Sequence, residues 1–120
     1  MKLVLPLPPN VANTSFGHWA VKLRRKRAYD REVQVALQNQ RARWRGRTWP
    51  SPVRITATLY TYNRMDVDNL YARLKWAIDC LVRAGLLVDD NPAGVTLQAT
   101  QQIDRKRQRL ELDFAEDGNA

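Results

Sequence analysis

The chain has 120 residues, a formal net charge of +8 and a pI near 10.3, enough for one domain with a single core but not for a separate regulatory module. No apolar run approaches the roughly 20 residues that span a bilayer, and the opening Met-Lys-Leu-Val-Leu-Pro is too short for a signal-peptide core, so a cytoplasmic protein with no membrane partner is expected. One cysteine, Cys80, excludes an internal disulfide, and one histidine, His18, excludes a Cys/His zinc set.

The elements predicted, in chain order, are strand, helix, strand, helix and two strands. Lys2 to Leu7 is a short apolar strand stopped by Pro8-Pro9, and Asn10 to His18 is a polar, Gly-containing loop. From Trp19 to about Arg43, Tyr29, Val33, Ala36, Leu37 and Gln40 recur at helical spacing while Arg24, Arg27, Arg31 and Arg41 lie largely elsewhere, a basic amphipathic helix. Residues 1–60 hold 12 Lys/Arg against Asp30 and Glu32 alone, whereas residues 61–120 hold 8 against 10 acids. Binding charge and candidate chemistry therefore occupy different halves, and the basic half suits a polyphosphate partner whose counterions it releases.

Val53 to Tyr62 alternates apolar and polar as a half-buried strand should, and its far end delivers the chain to Asp66. A second helix follows and ends near Gly85; at 100° per residue, Leu70, Leu74, Ala77, Ile78 and Leu81 share one stripe of roughly 100°, its core face. Val95 to Ile103 and Arg109 to Phe114 suggest a hairpin whose turn is Asp104-Arg105-Lys106-Arg107. The expected fold class is α+β, one domain over residues 1–115 in the order β-α-β-α-β-β, with a mixed sheet packed against two helices and a disordered tail at 116–120.

Four carboxylates punctuate this frame, Asp66 and Asp68 in Arg64-Met-Asp-Val-Asp-Asn-Leu70, then Asp89-Asp90 beyond the second helix. Asp68, Lys75 and Asp79 fall within about 20° of one line opposite the core stripe. Asp68-Asn69 suits a helix N-terminus, and Asp-Asp before Asn91-Pro92 suits a turn, so caps and turns remain one explanation for these acids. The other is a cation site. Clustered carboxylates repel unless a cation or proton intervenes, and hard oxygen ligands of this kind are what metal-assisted phosphodiester cleavage requires.

The same residues resemble the RusA family of Holliday junction resolvases, common in prophages. The resemblance spans nearly the whole chain: the strand running into Leu-Pro-Leu-Pro-Pro-Asn, the basic helix, Asp66-Val-Asp68-Asn69-Leu70, a lysine within the helix, Asp79, Ala84-Gly85 and Asp89-Asp90. It implies a homodimer that binds branched DNA and, with Mg²⁺ or alternatively Mn²⁺, nicks two strands of a four-way junction symmetrically, with no small-molecule cofactor. It implies Asp66, Asp68 and Asp90 as the metal-binding catalytic carboxylates and Lys75 as the catalytic lysine, in a bacterial or phage-encoded enzyme. Lys75 departs from the family spacing, following Asp68 by about two helical turns rather than one, and Arg73 or Arg64 would be stand-ins.

On this basis Lys22, Arg24, Arg25, Lys26 and Arg27, with Arg64 and the Arg105, Lys106 and Arg107 turn, are expected to hold phosphates. Trp19, Trp44 and Trp49 lie among arginines and serve either the core or base stacking. A nuclease of flaps or other branched DNA would need the same carboxylates, and a non-catalytic DNA-binding module would use them as caps and turns. The Asp-x-Asp element also occurs in nucleotide-sugar transferases, which a small basic chain without a dinucleotide-type glycine loop fits poorly.

Overall fold

Aliphatic residues alternate along three strands and recur every three to four residues on one long helix, so the chain builds a two-layer α+β fold. The computed structural model describes residues 1–9, 19–46, 48–49, 52–88 and 95–116. Its elements are β1 (Lys2–Leu5), α1 (Trp19–Asn39), a short α2 (Arg41–Trp44), β2 (Val53–Thr61), α3 (Val67–Arg83), β3 (Val95–Ile103) and β4 (Arg109–Glu116). They form one mixed four-stranded sheet in the order β1-β4-β2-β3, with β2 and β3 parallel and β4 antiparallel to both of its neighbours. Among the described residues no helix is long and apolar enough to cross a membrane.

One sheet face and the helices share a single core. Val53, Ile55, Ala57 and Leu59 of β2, Leu110, Leu112 and Phe114 of β4, and Leu3 and Leu5 of β1 are buried against Leu70, Leu74, Ala77, Ile78 and Leu81 of α3. The stripe predicted for α3 is thus its buried face, widened by Trp76 and Cys80. Helix α1 contributes only Tyr29, Val33 and Leu37, one residue per turn, and leaves its arginines outside. Leu112 sits in register between Leu3 and Ala57, and Leu112→Ala would remove about 2–5 kcal/mol from a total on the order of 5–15 kcal/mol.

The expected hairpin of the last two strands is not formed. β3 and β4 flank β2 on opposite sides, and residues 104–108 cross the end of β2, with the Asp104 N–H donating to the Thr61 carbonyl at 2.9 Å. Five residues easily cover two strand spacings, about 10 Å. Alternation identifies strands and their buried faces, and says nothing of which strands are neighbours.

Other boundaries moved for local reasons. β1 stops at Leu5 rather than Leu7 because Pro6 has no N–H to offer the ladder. The first helix divides at Gln40, whose side chain turns back to the sheet: its Oε1 accepts from the Val4 N–H at 2.8 Å while its Nε2 donates to the Val4 and Ala36 carbonyls at 2.6 and 2.9 Å. This amide pairs with the free edge of β1 as another strand would. Helix α3 ends as predicted, with Gly85 at φ 85°. The Leu86 and Gly85 N–H groups close on Leu81 and Val82, each at 3.0 Å, the paired bonds of a Schellman C-cap. β4 runs through Glu116, one residue into the expected tail, and 117–120 lie outside the described residues.

Candidate active site and nucleic-acid interface

Three connections meet at one end of the sheet. The parallel strands β2 and β3 both finish there, at Thr61 and Ile103, so Tyr62–Asp66 leads into α3 and Asp104–Gln108 leads into β4. β1 also ends there, because Leu5 pairs with Leu110, which brings in Pro6–Pro9. The carboxyl end of parallel strands is where α/β sheets usually hold ligands.

Asp66 is the N-cap of α3, with extended backbone at φ −66° and ψ 151°, yet its side chain makes no capping bond. Its main-chain carbonyl instead accepts from the Asn69 and Leu70 N–H groups at 3.1 and 3.2 Å. Asp68 lies within the first turn, two residues after the cap. Both side chains are exposed, and among the described residues neither carboxylate has a hydrogen-bond or ion-pair partner. The positive end of the helix dipole favours them there. Two oxygen donors with unused bonding capacity suit Mg²⁺, which takes one or two carboxylates and fills its other positions with water and phosphate oxygens.

The third expected carboxylate, Asp90, and its neighbour Asp89 lie outside the described residues. The described residues flanking them stand far from Asp66: Leu87 bridges to Trp49 after the end of α3, and Val95 pairs with Val53 at the start of β2. Among the described residues no group of three or more His, Cys, Asp or Glu comes together as a metal cage.

The cations divide into two sets. Arg64 is exposed immediately before the acidic box, and Arg105, Lys106 and Arg107 are exposed on the neighbouring connection. That turn is built by Asp104, whose Oδ1 accepts the Lys106 and Arg107 N–H groups at 3.0 and 3.1 Å and whose Oδ2 pairs with Arg109 at 2.9 Å. The Arg109 hydrogen bond, then those two N–H groups, hold the Asp104 carboxyl below the usual carboxylate range. Arg105 donates to the Tyr62 carbonyl at 3.3 Å, with its guanidinium 5.1 Å from the Tyr62 ring centroid.

The second set lies on α1. Lys22, Arg24, Arg25 and Arg27 are exposed, and Arg24, Arg27 and Arg31 share one face at helical spacing. Lys26 is half-buried and pairs with Asp79 at 3.8 Å, and Arg83 pairs with Asp30 at 3.0 Å. The order of these pairs means that α1 and α3 run in the same direction. It also makes Asp79 a tie between helices, about 16 Å along α3 from Asp68. Lys75 is exposed on α3, seven residues after Asp68 and on the same helical face.

Arg73 cannot stand in for Lys75, because it is buried at 8% exposure. Its Nε donates to the Pro8 carbonyl at 2.8 Å and its Nη1 to the Met65 Sδ at 3.4 Å, while burial lowers its pKa from the ordinary guanidinium range. Sequence reasoning missed this role, although an arginine three residues after Leu70 on an otherwise apolar stripe was the available signal. It missed Gln101 entirely: the Gln101 Nε2 donates to the Met65 carbonyl at 2.7 Å and its Oε1 accepts the Met65 N–H at 3.0 Å. Among the tryptophans, Trp44 and Trp49 pack on the core, Trp49 stacking on Phe114 at 6.0 Å, whereas Trp19 is 73% exposed.

In comparisons with known proteins, no family model and no curated protein matches the chain.

Proposed function

We propose that the chain is a Mg²⁺-dependent, structure-specific endodeoxyribonuclease that resolves four-way DNA junctions by paired symmetric nicks. The observation that carries this is the pair Asp66 and Asp68, two exposed carboxylates at the head of α3 that neither cap the helix nor join an ion pair among the described residues. A strongly basic protein gains nothing from such a pair on a phosphate-binding surface unless a cation sits on it. The likeness of the acidic box and its surroundings to the RusA pattern supports the same assignment.

Asp66 and Asp68 would hold the cation; the family likeness implies Asp90 as a third ligand, but the described residues on either side of it lie away from this pair, so the cation site rests on Asp66 and Asp68. What Mg²⁺ supplies when bound is an activated water and neutralisation of charge at the scissile phosphate. Arg64 and the Arg105, Lys106 and Arg107 turn would grip the phosphates beside the cleaved bond, and Lys22, Arg24, Arg25, Lys26 and Arg27 those farther along the arm. Lys75 would stabilise charge on the leaving oxygen. A junction must be cut on two strands, so a homodimer supplies the second copy of the site. The setting would be a bacterial cytoplasm, with the gene carried by host or phage.

Cleavage of a synthetic mobile four-way junction, with and without Mg²⁺ and beside linear duplex, flap and single-stranded controls, tests the proposal. Paired symmetric nicks that require the metal are expected. Cutting confined to flaps would redirect the assignment to another branched-DNA nuclease, and metal-independent binding without any cutting would reduce the chain to a binding module.

A further inference from the structure

The residue before the acidic box is held more firmly than any loop needs. Met65 pairs through both its N–H and its carbonyl with the Gln101 side chain, at 3.0 and 2.7 Å. Gln101 projects from β3, in register with Leu59 of β2. A primary amide offers one donor and one acceptor at nearly the spacing of a peptide unit, so it binds backbone as a neighbouring strand does. The Met65 sulfur meanwhile accepts from Arg73, which is anchored on Pro8. One residue later the Asp66 carbonyl is tied into the first turn of α3. The backbone of Asp66 is therefore pinned from both sides while its carboxylate stays uncommitted, the arrangement expected of a preorganised ligand.

We infer that Gln101 is a positioning residue for the Asp66 carboxylate, holding it at the geometry that a divalent cation and the scissile phosphate require. This rests on the nuclease assignment above. Partners that orient metal ligands typically contribute 10–100-fold in metal affinity or activity. Gln101→Met keeps the length and packing of the side chain but removes both hydrogen bonds.

The test titrates Mn²⁺ into parent and Gln101→Met in the absence of DNA, following paramagnetic broadening of the Asp66–Leu70 amide signals, and measures kcat and KM on junction DNA at fixed Mg²⁺. The variant is expected to bind Mn²⁺ about 10–100-fold more weakly and to lose kcat by a similar factor with KM unchanged. Mn²⁺ affinity and kcat within twofold of the parent would overturn the inference while leaving the nuclease assignment intact. A parent that neither binds Mn²⁺ nor cuts would overturn both. Should the variant not fold, amide exchange in the parent decides: the Met65 N–H is expected to exchange far more slowly than those of exposed Asn63 and Arg64, and equal rates would remove the clamp and the inference with it.

Discussion

Neutralising Asp66 separates a cation ligand from a helix cap, because the two roles predict opposite balances of stability and activity. An N-cap whose side chain bonds the helix is worth about 0.5–2 kcal/mol, and its loss would be felt in full. Asp66 occupies the N-cap position without making that bond, so Asp66→Ala, which removes any capping oxygen as well as the charge, forfeits only the charge–dipole term, about 0.3–1 kcal/mol at an exposed helix start. Relief of repulsion from Asp68 offsets part of it. The melting temperature should therefore stay within about 4 °C of the parent. Cleavage should fall by at least about 100-fold, since losing a ligand exceeds the 10–100-fold typical of losing a ligand's supporting partner. Thermal melts, junction nicking with Mg²⁺ and junction binding in Ca²⁺ measure the three quantities separately. Parental cleavage, or a stability loss near 2 kcal/mol with cleavage reduced only in proportion to folded protein, would refute the ligand role.

The remaining expectations concern the basic face and the core. Neutralising Arg24, Arg27 and Arg31, the three that share one face of α1, should weaken binding alike for all junction sequences and flatten the slope of log affinity against log salt by about 0.9 per lost phosphate contact; an unchanged slope would put the DNA elsewhere. The Thr61 hydroxyl is buried at the end of β2 with no hydrogen-bond partner among the described residues, so Thr61→Val should raise stability by about 1 kcal/mol in a denaturant titration, and a comparable loss would mean that the hydroxyl is bonded. Burial and the Asp30 carboxylate push the Cys80 thiol from near 9 up to about 12. With the folded value raised, its contribution to stability is complete below pH 9 and fades as pH rises toward 12; alkylation at pH 8.5 should accordingly be negligible until denaturant unfolds the chain.

Much of this architecture was legible because burial imposes periodicity. The β2 alternation and the α3 stripe named their own core residues, and Gly85 announced the left-handed position that ends α3. Neighbour relations were not legible: the same alternation in β3 and β4 is compatible with a hairpin or with the observed insertion of β2 between them, and only the whole sheet decides. Side-chain amides were opaque as well. Gln40 matched a helical repeat yet leaves the helix to close the β1 edge, and nothing in the run Gln98 to Gln102 distinguishes Gln101 from its neighbours until Met65 is brought against it. At the site, spacing found the exposed carboxylates and the basic turn, but placed the cap at Asp68 rather than Asp66 and left Arg73 open to a surface role that its burial excludes.

The electrostatics of the acidic pair yield a prediction independent of catalysis. A phosphate about 5 Å from an uncompensated carboxylate is repelled by roughly 1–3 kcal/mol, for effective dielectric constants between those of water and a protein surface. On the proposed function, Arg64 and the Arg105, Lys106 and Arg107 turn would draw phosphates toward this same end of the sheet, so in the absence of metal the parent would bind DNA against Asp66 and Asp68. The Asp66→Asn/Asp68→Asn variant is relieved of that repulsion and should bind junction DNA about 5–150-fold more tightly in EDTA. Adding Mg²⁺ neutralises the pair only where the pair exists, strengthening the parent relative to the variant and narrowing the gap, whereas general screening by the salt weakens both alike. Fluorescence anisotropy at constant ionic strength, with K⁺ exchanged for Mg²⁺, isolates the difference. Equal affinities in EDTA would mean that the phosphates never approach these carboxylates, and a gap that Mg²⁺ leaves unchanged would mean that they hold no cation when DNA is bound.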